Sequence, residues 1–201
     1  MRWIFNAPGI IKGFNEPRSF FINDFSSQMV RAFSNCITDA IELSQQILPI
    51  YIESPGGDAY ALQGVLSNMC AARKKGLKFA TITTGQAMSA GAFVFCYGDQ
   101  GLRFMGEEAT IMLHGLSSGY EGKISEMNDY SKNLEDGQYA LYEKISKHLK
   151  KHPGWLKKQM DIRKDKDWFL NAKEALELGI ADHIDVPAFS VEISAEVKII
   201  V

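Results

Sequence analysis

"LPIYIESPGGDAYALQGVLSNMCAARKKG", residues 48–76, joins a short apolar run to a longer segment across a proline and two glycines. "LPIYIES" reads as a buried strand. "ALQGVLSNMCAARKKG" reads as a helix closed by Lys74, Lys75 and Gly76, the residue types that suit a helix C-terminus. Strand, tight turn and helix make one unit of an α/β domain.

The unit recurs on both sides. Upstream, "SFFIND" (19–24) reads as a strand, and "SSQMVRAFSNCITDAIELSQQ" (26–46) as a helix with Met29, Ala32, Phe33, Ile37, Ala40, Ile41 and Leu43 near helical spacing. Downstream, "LKFATITT" (77–84) is followed by an apolar helix after Ser89, and "GLRFM" (101–105) and "ATIMLHG" (109–115) add two short strands. A long helix over 124–150 carries Ile124, Met127, Leu134, Leu141, Ile145 and Leu149 on one stripe and charge elsewhere, the pattern of a helix that projects or pairs. Pro153 ends it, and "PGWLKKQM" (153–160) starts another. Asn171 with Glu174 predicts a capped helix that stops at Gly179. Residues 1–17 look like an irregular arm, and "VEISAEVKIIV" (191–201) alternates like a strand. Strands alternating with helices predict an α/β domain with a largely parallel sheet.

At 201 residues and 46% hydrophobic, the chain fits one core and one domain. Twenty-two basic against 24 acidic side chains argue against nucleic-acid binding. The three cysteines, Cys36, Cys70 and Cys96, form no CxxC pair and no zinc-like pattern with histidine, so a reduced interior and no metal site are expected. No signal-peptide core and no run of about 18 apolar residues is present, which predicts a soluble, cytoplasmic protein and no membrane contact.

Two segments invite a chemical reading. In "TTGQAMSAGAFVF" (83–95) the smallest residues crowd around Ser89, which is either a helix cap or a nucleophile at a strand-to-helix turn. "SPGG" (54–57) ends a strand, where sites of open parallel sheets collect, and its glycines allow the backbone to turn N–H groups outward. The N–H groups of Gly57 and Ala90 are then the natural pair for an oxyanion. Of four histidines, only His114 ends an apolar strand; His148 and His152 look solvated, and His183 falls after a helix. "DKDWF" offers Asp165 and Asp167, the second placed before bulky residues that could bury it. Tyr139 and Tyr142 read as packing residues. Each signal alone has an ordinary structural explanation.

Together, "YIESPGGDA", "TTGQAMSAGAF", "GLRFM", "IMLHGLSSGYEGKISEM" and "DKDWFLNAKEALELGIADHI" resemble, in order, the Clp protease proteolytic subunit family (ClpP) and its phage-encoded members over roughly residues 18–185. The resemblance implies a ClpP/crotonase-like fold of repeated ββα units with a projecting handle helix. It divides the chain into an arm at 1–17 and a protease domain at 18–201, with the head at about 18–118 and 161–201 and the handle region at about 119–160. It makes Ser89 the nucleophile, His114 the base and Asp167 the orienting acid, with oxyanion donors at Gly57 and Ala90. Ser54, Pro55, Gly56, Ser117, Ser118, Gly119 and Tyr120 become candidates for the peptide groove, and Asp165 and Lys166 for subunit contacts.

The implied activity is serine endopeptidase cleavage of unfolded polypeptides inside a homo-oligomeric chamber, a heptamer or a tetradecamer. An AAA+ unfoldase would feed the chamber and use the ATP, and this chain would bind no cofactor of its own. A catalytically silent structural or binding subunit and a phage head-maturation protease are the alternatives. The chain departs from the family pattern at Leu116, where proline is common, and at Lys166, where arginine is common.

Overall fold

The computed structural model describes residues 16–116, 123–164 and 166–189. The expected arm, apart from residues 16 and 17, and the expected C-terminal strand lie outside these. So do Ser117, Ser118, Gly119, Tyr120 and Asp165.

The unit read from residues 48–76 is β2 (Ile47–Ile52) followed by α2 (Ala59–Arg73), and the unit before it is β1 (Phe20–Ile22) and α1 (Ser27–Glu42). Asp58 caps α2 by accepting the Ala61 N–H, and Ser26 caps α1 by accepting the Met29 N–H. Of the apolar residues read on α1, Met29, Phe33, Ile37 and Ala40 form its buried face, Ile41 and the C-cap Leu43 are half-buried, and Ala32 is exposed on the far side. The chain continues through β3 (Lys78–Thr83), β4 (Gln86–Met88), α3 (Ala90–Cys96), β5 (Arg103–Met105) and β6 (Thr110–Leu113). It ends in α4 (Ile124–His148), α5 (Trp155–Ile162), β7 (Trp168–Asn171), α6 (Ala172–Glu177) and β8 (His183–Ile184). The capping box at Asn171 and Glu174 forms as read.

Five strands make a fully parallel sheet in the order β1-β2-β3-β5-β8. Ile50 sits opposite both Phe20 and Thr81, at the centre of a layer in which Leu48, Ile50, Ile52, Phe79 and Ile82 are all fully buried. A smaller sheet has the order β4-β6-β7, with β4 parallel and β7 antiparallel to β6. Isolated parallel bridges, Ser54 with Ala87 and Phe25 with Gly57, continue it. The third and fourth units therefore each carry two strands before their helix. In the first two units the second strand shrinks to single bridging residues. This is an α/β fold with the parallel sheet expected.

Helix α4 has two unlike halves. Leu141, Tyr142 and Ile145 are buried against the body, whereas no described side chain from 123 to 140 is buried. The projecting helix is thus anchored through its C-terminal half. Tyr142 packs near Phe93, but Tyr139 is exposed rather than packed. His148 also differs from expectation: its ring lies 4.4 Å from that of Tyr97 and its Nε2 donates to Gly98 O at 2.8 Å, so it is half-buried rather than solvated. Burial pushes its pKa down. Among the described residues, no helix is long and apolar enough to cross a membrane.

Candidate active site

The site lies where strands from three units end together. β4 hands over to α3 at Ser89, whose backbone takes φ 53° and ψ −119°, a conformation that costs a non-glycine residue roughly 1–3 kcal/mol. Ser89 occupies the N-cap position of α3, yet its side chain makes no capping hydrogen bond. Its Oγ lies instead 2.7 Å from Nε2 of His114, the residue that follows β6. The Ser89 N–H donates to Met112 O at 2.7 Å, which ties the turn to that same strand.

The "SPGG" segment passes directly over the serine. Gly56, at φ +109°, comes so near that a Cβ there would lie 2.7 Å from Ser89 Cβ, and Gly57 has φ +152°. No other residue type fits that approach. Among the described residues no hydrogen bond takes up the Gly57 N–H, and the Ala90 N–H opens α3, where no intrahelical acceptor exists. Ser54 is fully buried: its Oγ accepts the Gly56 N–H, its N–H donates to Gln86 O, and its carbonyl accepts from Met88 N–H. It holds the turn from beneath, while Pro55 and Gly57 are exposed.

A neighbour that the sequence reading missed completes this clamp. The Glu53 carboxylate accepts hydrogen bonds from the N–H groups of Thr84, Gly85 and Gln86 and from the Thr84 hydroxyl, at 2.6 to 3.1 Å. Burial pushes its pKa up, but the hydrogen bonds from Gln86, Thr84 and Gly85 outweigh that and hold it below the usual carboxylate range. The end of β2 thereby fixes the turn that starts β4, three to five residues before Ser89. No local pattern marks such a residue, because its partners lie about thirty positions away.

Asp167 is exposed and makes no hydrogen bond to His114 among the described residues. The bulky residues after it do not bury it, because β7 alternates: Trp168 and Leu170 turn inward, Phe169 outward. The last pair of the antiparallel β6–β7 ladder is Leu113 with Trp168, so His114 and Asp167 are the residues that flank its end. Lys166 is exposed and donates its N–H to Arg163 O.

Beside Ser89 and His114 opens a cavity of about 220 Å³, with Leu62, Phe93, Leu116 and Leu134 among its apolar walls and Gly57 and Tyr60 also lining it. It has room for an amino-acid side chain.

A hydroxyl on a strained strand-to-helix turn, an imidazole within hydrogen-bond reach and free N–H groups alongside make up the machinery of acyl transfer. Residues 20–187 match the family model described as Clp protease. The chain belongs to the Clp protease family. It is also 30% identical, over 163 residues, to the ATP-dependent Clp protease proteolytic subunit of Porphyromonas gingivalis (strain ATCC BAA-308 / W83), a match that covers 81% of this chain and 69% of that protein. All the described parts of the site fall inside the family match.

Proposed function

We propose that the chain is a serine endopeptidase that cleaves unfolded polypeptides within a homo-oligomeric chamber. The observation that carries this reading is the 2.7 Å contact of His114 Nε2 with a serine Oγ held at positive φ. In the proposed reaction, Ser89 gives its proton to His114 Nε2 as Oγ attacks the peptide carbonyl. The N–H groups of Gly57 and Ala90 receive the developing oxyanion. The imidazolium then protonates the leaving amine, and water repeats the sequence to release the acid and regenerate Ser89. Asp167, across the ladder, orients the ring. The apolar cavity takes a substrate side chain next to the scissile bond.

Family membership supports assembly into heptamers or tetradecamers and feeding by an AAA+ unfoldase that uses the ATP, this chain binding no cofactor. Asp167, exposed and without a hydrogen bond from its side chain among the described residues, favours one second reading, a silent structural or binding subunit. A fluorophosphonate probe followed by intact mass separates the two. We expect one adduct on the wild-type protein and none on Ser89→Ala; a wild-type oligomer that takes no label supports the silent subunit.

A further inference from the structure

Beyond Leu113 the β6 ladder ends, and the strand gives His114, Gly115 and Leu116 no further backbone partner among the described residues. Among the described residues, two hydrogen bonds hold this stretch. One is the contact of His114 with Ser89 itself; the other joins the Leu116 N–H to Oε1 of Gln138, at 2.6 Å. An N–H can pair only with the oxygen of the side-chain amide, so the orientation of Gln138 is fixed by its partner. Gln138 lies one turn before the buried Leu141 and Tyr142 of α4, which makes it the point where the anchored half of that helix meets the site. The approach is close: a Cβ on Gly115 would lie 3.0 Å from Gln138 Oε1. Leu116 also lines the cavity beside Ser89.

We propose that Gln138 is a positioning residue for His114, acting through the Leu116 N–H to hold the segment that carries the imidazole. This rests on the serine-hydrolase reading above. Gln138 does not line the cavity and touches no reacting atom. Its role is to supply the acceptor that the ladder no longer provides. Without it, the Leu116 N–H must find water or turn away, and His114 loses its fixed distance from Ser89.

The test compares fluorophosphonate labelling rates and peptide kcat and KM for wild type, Gln138→Met and Gln138→Glu in the assembled protein. Methionine keeps the length and helix preference but has no good acceptor, whereas glutamate keeps an oxygen. Gln138→Met should lower the labelling rate and kcat about tenfold with little change in KM, since misplacing a catalytic group slows chemistry more than binding. Gln138→Glu should stay within about twofold of wild type. Leu116→Pro removes the donor, and in that background Gln138→Met should have no further effect.

Equal labelling of wild type and Gln138→Met would overturn the proposal. So would a Gln138→Met defect that Gln138→Glu shares, or one that persists undiminished beside Leu116→Pro, because each points to a general role in the helix. A wild-type protein that never labels defeats the serine reading itself. That failure is distinguishable, because it leaves no rate for Gln138 to change.

Discussion

The two sides of the site are built differently. On the side of the proposed nucleophile, Ser89 is fixed by the main chain: its N–H bonds to Met112, Ser54 bridges to the strand before it, and Glu53 gathers the turn in which that strand begins. On the side of the proposed base, His114 and Asp167 stand just past the end of a short ladder, Asp167 is exposed, and among the described residues few bonds hold them. Backbone ladders fix a position whatever the side chains do, whereas strand ends depend on single side chains. The proposed nucleophile is therefore prepared by the fold, and the proposed base by a handful of contacts that can be lost one at a time.

Substitutions that probe each side sharpen this contrast. The largest loss should come from Gly56→Ala, which places a methyl group 2.7 Å from Ser89 Cβ at a φ of +109°. It should lower kcat/KM at least several hundredfold, since it displaces both the serine and the neighbouring proposed oxyanion donor, each a matter of about a hundredfold or more. Near-normal turnover in that variant would mean that the nucleophile side is softer than its backbone bonds imply.

Asp167→Asn should cost less. A buried triad acid contributes about ten-thousandfold, but an exposed carboxylate is screened by water, and a loss of about ten- to a hundredfold in kcat is expected. A full ten-thousandfold loss would break the comparison, because it would place Asp167 firmly on the imidazole in the working oligomer.

The smallest effect should follow Glu53→Gln. One neutral oxygen replaces a carboxylate that serves several donors, and the stability lost is about 1 kcal/mol once the solvent access of Glu53 is allowed for. Its folded-state pKa is depressed, so the contribution is present in full above the ordinary value of 4.5 and disappears as pH falls through the lower folded value. Denaturant titrations should therefore find a constant gap between wild type and variant near neutral pH. The gap should close under acid conditions, and one that widened there would contradict the clamp.

Much of this was legible in the sequence. The helices announced themselves by period and by caps, Met29 to Ala40 and Asn171 with Glu174 being clear cases. Ser89, His114 and the glycines near Gly57 stood out because small residues and strand ends restrict what a backbone can do. β4, β7 and β8 were not read: each has two to four residues and runs without a break into or out of a segment read as part of a helix or turn. His148 looked solvated among lysines, since nothing local reveals Tyr97 and Gly98 arriving from fifty residues away. Glu53 and Gln138 escaped for the same reason: each is an ordinary polar residue whose partner is a backbone N–H far along the chain.

The backbone at Ser89 has an implication for inheritance. Its φ and ψ suit glycine better than any residue with a side chain, so a lineage selected only to keep this fold would drift toward glycine at position 89. Ser89→Gly should be the rare change that makes the molecule sturdier as it silences it. Under the proposed function, a serine kept at that angle serves chemistry on a backbone that, for stability alone, had a better choice.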